Sequence, residues 1–417
     1  MTLPALGWIR SSPRRRVAAL GAVALASALA LGACSSGDDE AAGGFGGSGG
    51  GGAPLSCPIP VAPMAIAVGV RANQPSGDLP SAVRSAAQSV VAGASDRGAK
   101  PRFSVVTVDG RPSVAGSATY QTDAGNAIAA QDDQNAFLQS LGQELGNVRA
   151  QNPEVDDLAA LDVAGRAVAG NTPGTVVLVD SGLQTMPPLD FRQPGQLGAP
   201  VADTVEFLRS SRALPTLQGA TVVLSGLGDT AAPQAALSPA QRTSLVSLWT
   251  EIAKAAGASC VAVVDEPRSG EAPTDVPPVS VVDVPPPPTL TPGRPTALPD
   301  DGSVGFRPST ADFRDPNAAR GVLTPFVQFL QSGPTRRIAL TGTTARAGTL
   351  DSQISLSRER AEAVKTLMVG SGAPAERITT NGVGSQFPGY VNDVGPDGAQ
   401  LPGPATTNRK VIVEPSG

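Results

Sequence analysis

Five short apolar runs alternating with amphipathic stretches constrain the first part of this chain more than any other feature. The runs are MAIAVGV (64–70), RFSVVTVDG (102–110), TVVLVDSG (175–182), ATVVLSGLG (220–228) and SCVAVVDEP (259–267), and they read as buried strands. Between them, residues 80–94, 135–149, 155–169, 201–211 and 239–256 carry apolar side chains at three- and four-residue spacing, and proline opens two of these stretches. Such alternation predicts an α/β domain with a doubly wound, mostly parallel sheet and helices on both faces. PSVAGSATYQ (112–121) follows the second run after a DGRP turn and is expected to pair back antiparallel. Aromatic residues are only 3% of the chain, so its cores must be built from Ala, Val and Leu.

The 48 glycines and 40 prolines fall in clusters, and the clusters mark the joints between ordered units. Residues 266–300 are too proline-rich for a compact core and predict a semi-rigid spacer; Pro285 to Pro288 favour polyproline II, and VSVVDV (279–284) is able to add an edge strand to either neighbour. Beyond the spacer, GSVGFRPS (302–309), RRIALTG (336–342), RITTNGVG (377–384) and NRKVIVE (408–414) read as extended. Residues 317–332 and 352–369 read as helices. Gly370 and Gly372 stop the second helix and Pro374 prevents its resumption. The organisation is therefore residues 1–33 as an address, 34–57 as a Gly-rich tether, 58–268 as a first domain, 269–300 as a linker and 301–417 as a second domain.

Several function classes fall away on composition. With no histidine, Ser-His-Asp and Cys-His catalysis are excluded and the commonest metal ligand is missing. GGSGG (46–50) formally matches a nucleophile-elbow pattern but has no strand before it and no helix after it. There is no Gly-Lys dipeptide for a phosphate loop, and none of the four lysines has a serine three residues before it. The chain is therefore expected not to be an enzyme and to need no cofactor. The formal charge is −5; four arginines and no acid in the first 33 residues leave −9 on the remainder, a poor match for nucleic acid.

Arg10 and Arg14 to Arg16 precede VAALGAVALASALAL, an uncharged run too short for an ordinary membrane span, as in a secretion signal. Leu31-Gly32-Ala33-Cys34 then resembles the lipobox of bacterial lipoproteins. The resemblance implies cleavage after Ala33, lipidation of the Cys34 thiol by acyl chains such as palmitate, and a protein held on the extracytoplasmic face of the cell membrane by that anchor. In this oxidising setting Cys57 and Cys260 either bridge, stapling the ends of the first domain, or remain as two buried thiols.

The element order of residues 58–268 resembles a von Willebrand factor A domain. In that family the first strand ends in an Asp-x-Ser-x-Ser metal loop; here the corresponding stretch is RANQP, Arg71 to Pro75. Asp180 in VDSG matches the later family acid, yet one acid cannot hold magnesium, so no metal is expected. Asp180 is expected as a strand-end loop residue beside a crevice at the carboxyl ends of the strands, where a protein partner would bind.

Residues 301–417 resemble the peptidoglycan-binding domain of outer-membrane protein A, an α/β sandwich with a mixed sheet. The family order Gly-His-Thr-Asp, Gly, Asn-x-x-Leu-Ser-x-x-Arg-Ala and Asn-Arg-Arg-Val appears here as Gly342-Thr343-Thr344-Ala345, Gly348, Gln353-x-x-Leu356-Ser357-x-x-Arg360-Ala361 and Asn408-Arg409-Lys410-Val411. The resemblance implies a loop acid and a helix arginine that together grip the diaminopimelate of the peptidoglycan stem peptide. An acid and a bidentate guanidinium meet the ammonium and carboxylate of that side chain. This chain keeps Arg360 and has Ala345 in place of the acid. Thr343, Thr344, Gln353 and Arg409 complete the expected site, Arg409 as support for the loop. Arg360 is alternatively engaged in an internal ion pair with Asp351 or a nearby Glu, and Asp351 is expected to cap the helix that follows. Two readings follow: an envelope lipoprotein docked on peptidoglycan, or an envelope scaffold in which both domains have lost their ligand acids and make protein contacts.

Overall fold

The computed structural model describes residues 55–170, 172–284 and 293–417. The address, Cys34, nearly all of the tether and Pro285 to Pro288 lie outside them.

The first domain contains β1 (Met64–Gly69), α1 (Ser81–Arg97), β2 (Arg102–Val108), β3 (Ser113–Thr119), α2 (Ala127–Gly146), α3 (Asp157–Val168), β4 (Thr175–Val179), α4 (Val201–Ser210), β5 (Thr221–Ser225), α5 (Pro239–Ala255) and β6 (Cys260–Val264). The sheet order is β3-β2-β1-β4-β5-β6; all neighbours are parallel except β3, which pairs back on β2. Every side chain of β1, β4 and β5 is buried, which is why these runs show no alternation. One face is covered by α1 and α2 through Val83, Val90, Phe137 and Leu141, the other by α3, α4 and α5 through Leu161, Leu208 and Trp249. The helix side changes between β1 and β4, the switch point where a crevice opens in such sheets. A Cys57–Cys260 disulfide joins the chain ahead of β1 to the start of β6.

The second domain contains β7 (Thr296–Pro299), α6 (Pro316–Gln331), β8 (Arg337–Thr343), α7 (Leu350–Gly370), β9 (Ile378–Gly382), α8 (Pro402–Asn408) and β10 (Lys410–Ser416). Its sheet order is β7-β10-β8-β9, with β8 and β9 parallel and the other pairs antiparallel. Helices α6 and α7 pack on one face through Leu323, Phe326, Leu330, Val364 and Met368. Among the described residues no helix is long and apolar enough to cross a membrane.

Four expectations are corrected. The strand expected at 302–309 is a looped segment with one bridge, Phe306 to Phe313; Val304 and Phe306 enter the core from turns closed by Gly302 N–H to Pro299 O and Gly305 N–H to Gly302 O. The edge strand is instead β7, so the second domain begins inside the supposed linker. Residues 279–284 are neither strand nor free spacer: Val279 and Val282 are buried in the first domain, and the Gln234 amide takes the place of a strand neighbour, accepting from Val282 N at 2.8 Å and donating to Val282 O at 2.9 Å. Helix α2 starts at Ala127, not Asn135, because Asn126 caps it, its side chain accepting from Ala129 N at 2.9 Å. The exposed first turns, Ile128 among them, carry no apolar stripe.

Candidate functional site

Two places collect polar side chains. At the switch point of the first domain, Arg71 follows β1 and Asp180 follows β4, and both are buried. The Arg71 guanidinium pairs with both Asp180 oxygens, Nη2 donating to Oδ1 at 2.7 Å and Nη1 to Oδ2. Burial alone would lift the Asp180 carboxyl, but Arg71 holds it below its usual range. Asp157, at the start of α3, is also fully buried, and burial together with the Asp180 charge pushes its carboxyl well above the usual range. Arg268, 8% exposed, crosses the same strand ends, donating to the carbonyls of Gly69 and Gly77 at 3.3 and 3.1 Å.

The crevice expected to receive a partner is therefore closed by the chain's own side chains, and Asp180 is an interior ion-pair member rather than an open loop residue. The metal implied by the von Willebrand factor A resemblance does not fit: a cation already stands against the carboxylate. Among the described residues no group of three or more acidic or cysteine side chains is placed to hold a metal ion.

The second place is the end of β8 and the helix α7 above it. Gly342 lets the two approach; a Cβ there would lie 1.8 Å from Ser357 O. Thr349, not Asp351, caps α7, its hydroxyl accepting from Ser352 N at 3.3 Å, and Asp351 stays exposed in the first turn. Three of the expected site residues are held by the fold. Thr343 Oγ1 donates to Asn408 O at 2.6 Å, tying β8 to the end of α8. Gln353 accepts from Ser385 Oγ at 2.7 Å and donates to Gly348 O at 3.3 Å. Arg409 reaches into the first domain, donating to Asp203 on α4 at 3.0 Å.

Arg360 and Thr344 stand apart. Arg360 is 5% exposed; its Nε donates to Thr310 O at 2.9 Å and its guanidinium carbon lies 5.1 Å from the Phe306 ring centre. Among the described residues no carboxylate lies within ion-pair distance of it, so the ion pair with Asp351 or a Glu does not form. Burial lowers its pKa, with Asp300 opposing that and Arg409 and Arg314 adding to it. A guanidinium stays charged through any such shift at neutral pH. The Thr344 hydroxyl is buried with no hydrogen-bond partner among the described residues, while its N–H donates to Gly384 O at 3.0 Å.

Asp393 is the residue that sequence reasoning missed. It is fully buried, and its Oδ2 accepts from Arg346 N at 2.9 Å, the amide next to Ala345, and from Asn408 Nδ2 at 3.1 Å. Its other oxygen accepts from the Tyr390 hydroxyl. An acid thus fixes the loop from behind while position 345, also buried, offers a methyl group. Nothing in local spacing announces Asp393, because it lies 47 residues from Arg346 in the chain.

A mixed four-stranded sheet, helices on one face and an arginine on the second helix define an OmpA-like domain. Residues 305–397 match the OmpA family. Similar solved structures include the peptidoglycan-associated lipoprotein from Burkholderia pseudomallei, 22% identical over 29% of this chain and 89% of that one, with a TM-score of 0.23. The periplasmic domain of Helicobacter pylori MotB is 16% identical over 29% and 81%, with a TM-score of 0.24. The cell wall anchor of the T6SS from Pseudomonas aeruginosa is 23% identical over 28% and 78%, with a TM-score of 0.23. Comparison with curated proteins found no match.

Proposed function

We propose that this is a cell-envelope lipoprotein, anchored through Cys34, whose OmpA-like domain binds peptidoglycan non-covalently. The observation that carries the reading is Arg360: a nearly buried guanidinium, within the segment that matches the OmpA family, with no carboxylate at ion-pair distance among the described residues. A buried charge whose nearest counter-charge, Asp300, stands beyond ion-pair distance is costly, and a carboxylate from outside reduces that cost. The match to the OmpA family supports the wall stem peptide as the source of that carboxylate. With Ala345 in place of an acid, the ammonium of a diaminopimelate side chain loses one charge-assisted bond, on the order of 1.5–3 kcal/mol, so binding through one domain is weak. The lipid anchor compensates by confining the protein to the envelope, where effective concentration substitutes for affinity. No catalytic step is assigned.

The test is co-sedimentation with purified sacculi, alongside membrane fractionation of cells. Wild type pellets with sacculi and Arg360→Ala does not, while Cys34→Ala leaves the membrane fraction. Equal pelleting by wild type and Arg360→Ala would remove wall binding through this residue and leave the scaffold reading; a Cys34→Ala chain that stays in the membrane fraction would remove the anchor.

A further inference from the structure

Residues 278–282 lie in the first domain as an extended peptide lies in a receptor, and polar groups from the loops after α2, β4 and β5 hold every second residue. Pro278 O accepts from Glu154 N at 3.3 Å. Ser280 donates twice to the Glu154 carboxylate, from Oγ at 2.6 Å and from N at 3.3 Å, and its hydroxyl accepts from Arg192 Nη1 at 3.2 Å. Val282 N donates to the buried Gln234 Oε1 at 2.8 Å, and Val282 O accepts from Gln234 Nε2 at 2.9 Å. Val279 and Val282 enter the core shared with α3, α4 and α5, while Val281 is 46% exposed and Asp283 is exposed.

The groove is built by residues other than those that fill it. Arg192 is set by Asp190, Nε donating to Oδ1 at 2.9 Å and Nη2 to Oδ2 at 2.8 Å, and by the Thr185 carbonyl at 2.6 Å. Glu154 stands at φ 69°, a backbone conformation that a residue with a side chain adopts only at a cost and that gathers where a site is preorganised. What the groove reads is main-chain N–H and C=O groups, one hydroxyl and two valines three residues apart, and those contacts are indifferent to which chain supplies them.

We infer that this groove is a binding site for an extended peptide of the pattern Val-Ser-x-Val, or with threonine in place of serine, carried by a partner protein, and that the chain's own residues 279–282 occupy it in cis and hold it shut. None of its polar side chains belongs to the Arg71–Asp180 pair or to the second domain. A tethered segment competes at an effective concentration on the order of millimolar, so a peptide in trans enters once the cis segment is weakened.

The test uses the full chain and a fluorescent peptide of residues 277–284, PPVSVVDV, with binding read by anisotropy. Wild type is compared with Val279→Asp/Val282→Asp, whose charges expel the cis segment; near-UV circular dichroism and gel filtration check its fold, and Val282→Ala, which only shortens one contact, replaces it if it does not fold. The variant is expected to bind the peptide at least about tenfold more tightly than wild type, and Gln234→Ala added to it to weaken that binding about tenfold or more. A peptide with serine at the positions of Val279 and Val282 is expected not to bind. A folded variant that takes up the peptide no better than wild type overturns the inference, as does binding that Gln234→Ala leaves unchanged. A wild type that runs as a dimer and becomes monomeric in the variant assigns the groove to a second copy's segment and overturns it as well.

Discussion

Glu266 caps a helix that begins 185 residues earlier. Helix α1 starts after Pro80, which has no side chain to offer its first amides, and the Glu266 carboxylate accepts from Ser81 N at 2.9 and 3.0 Å and from Ser81 Oγ at 2.8 Å. Burial raises the pKa of this carboxyl, but the Ser81 bonds and the Arg84 charge outweigh that and hold it below its usual range. A carboxylate with a depressed folded pKa stabilises above its unfolded value and loses that contribution as pH falls through the folded one. Glu266→Gln is therefore expected to cost about 1 kcal/mol at pH 7, and the difference from wild type should vanish below the ordinary carboxylate range. Urea unfolding at several pH values measures this; a deficit that persists in acid would show that the carboxylate charge is not the source. Arg71 and Arg360 differ at this scale: the first is paired with both oxygens of Asp180, and the second has only the Asp300 charge beyond ion-pair distance.

Among elements, the strap at residues 279–284 shows what sequence pattern can and cannot say. Its apolar pattern was legible, and Val279 and Val282 are buried while Val281 is exposed, but whether such a segment joins a ladder depends on a free strand edge. Here the Gln234 side chain takes both hydrogen bonds of Val282. Gln234→Ala should leave a buried N–H and C=O unpaired, at about 1–3 kcal/mol, and loosen the strap; limited subtilisin digestion would cut within 269–284 faster than in wild type. An unchanged cleavage rate would mean that Val279 and Val282 hold the strap by packing alone. The inner parallel strands were legible because burial on both faces writes continuous apolar runs, β6 from its apolar run although this edge strand exposes Val263, and α7 from its spacing and the glycines at its end. The short α8 and β7 were not, since prolines at 299, 402 and 404 argue against regular structure and only pairing with β10 and packing against the first domain decide otherwise. The candidate site was legible in Arg360 and the Thr343–Thr344 loop, whereas Asp393 and the Thr310 carbonyl become visible only when the chain is folded.

For the molecule as a whole, the two domains touch near the site. Arg409 bonds Asp203, and Gly195, at φ 77°, packs its backbone against α8, where a Cβ would lie 2.4 Å from Gly403 O. The first domain is closed at its own crevice and bound by the Cys57–Cys260 disulfide, a rigid neighbour for the binding module. Wall binding, as proposed, rests on Arg360, buried within the segment that matches the OmpA family and without a carboxylate at ion-pair distance among the described residues. Calorimetric titration of the intact protein with a diaminopimelate-containing stem peptide is the most direct measurement. Wild type should bind weakly, Ala345→Asp about tenfold to a hundredfold more tightly through a restored charge-assisted bond, and Arg360→Ala not at all. Binding by Arg360→Ala equal to wild type would contradict the account.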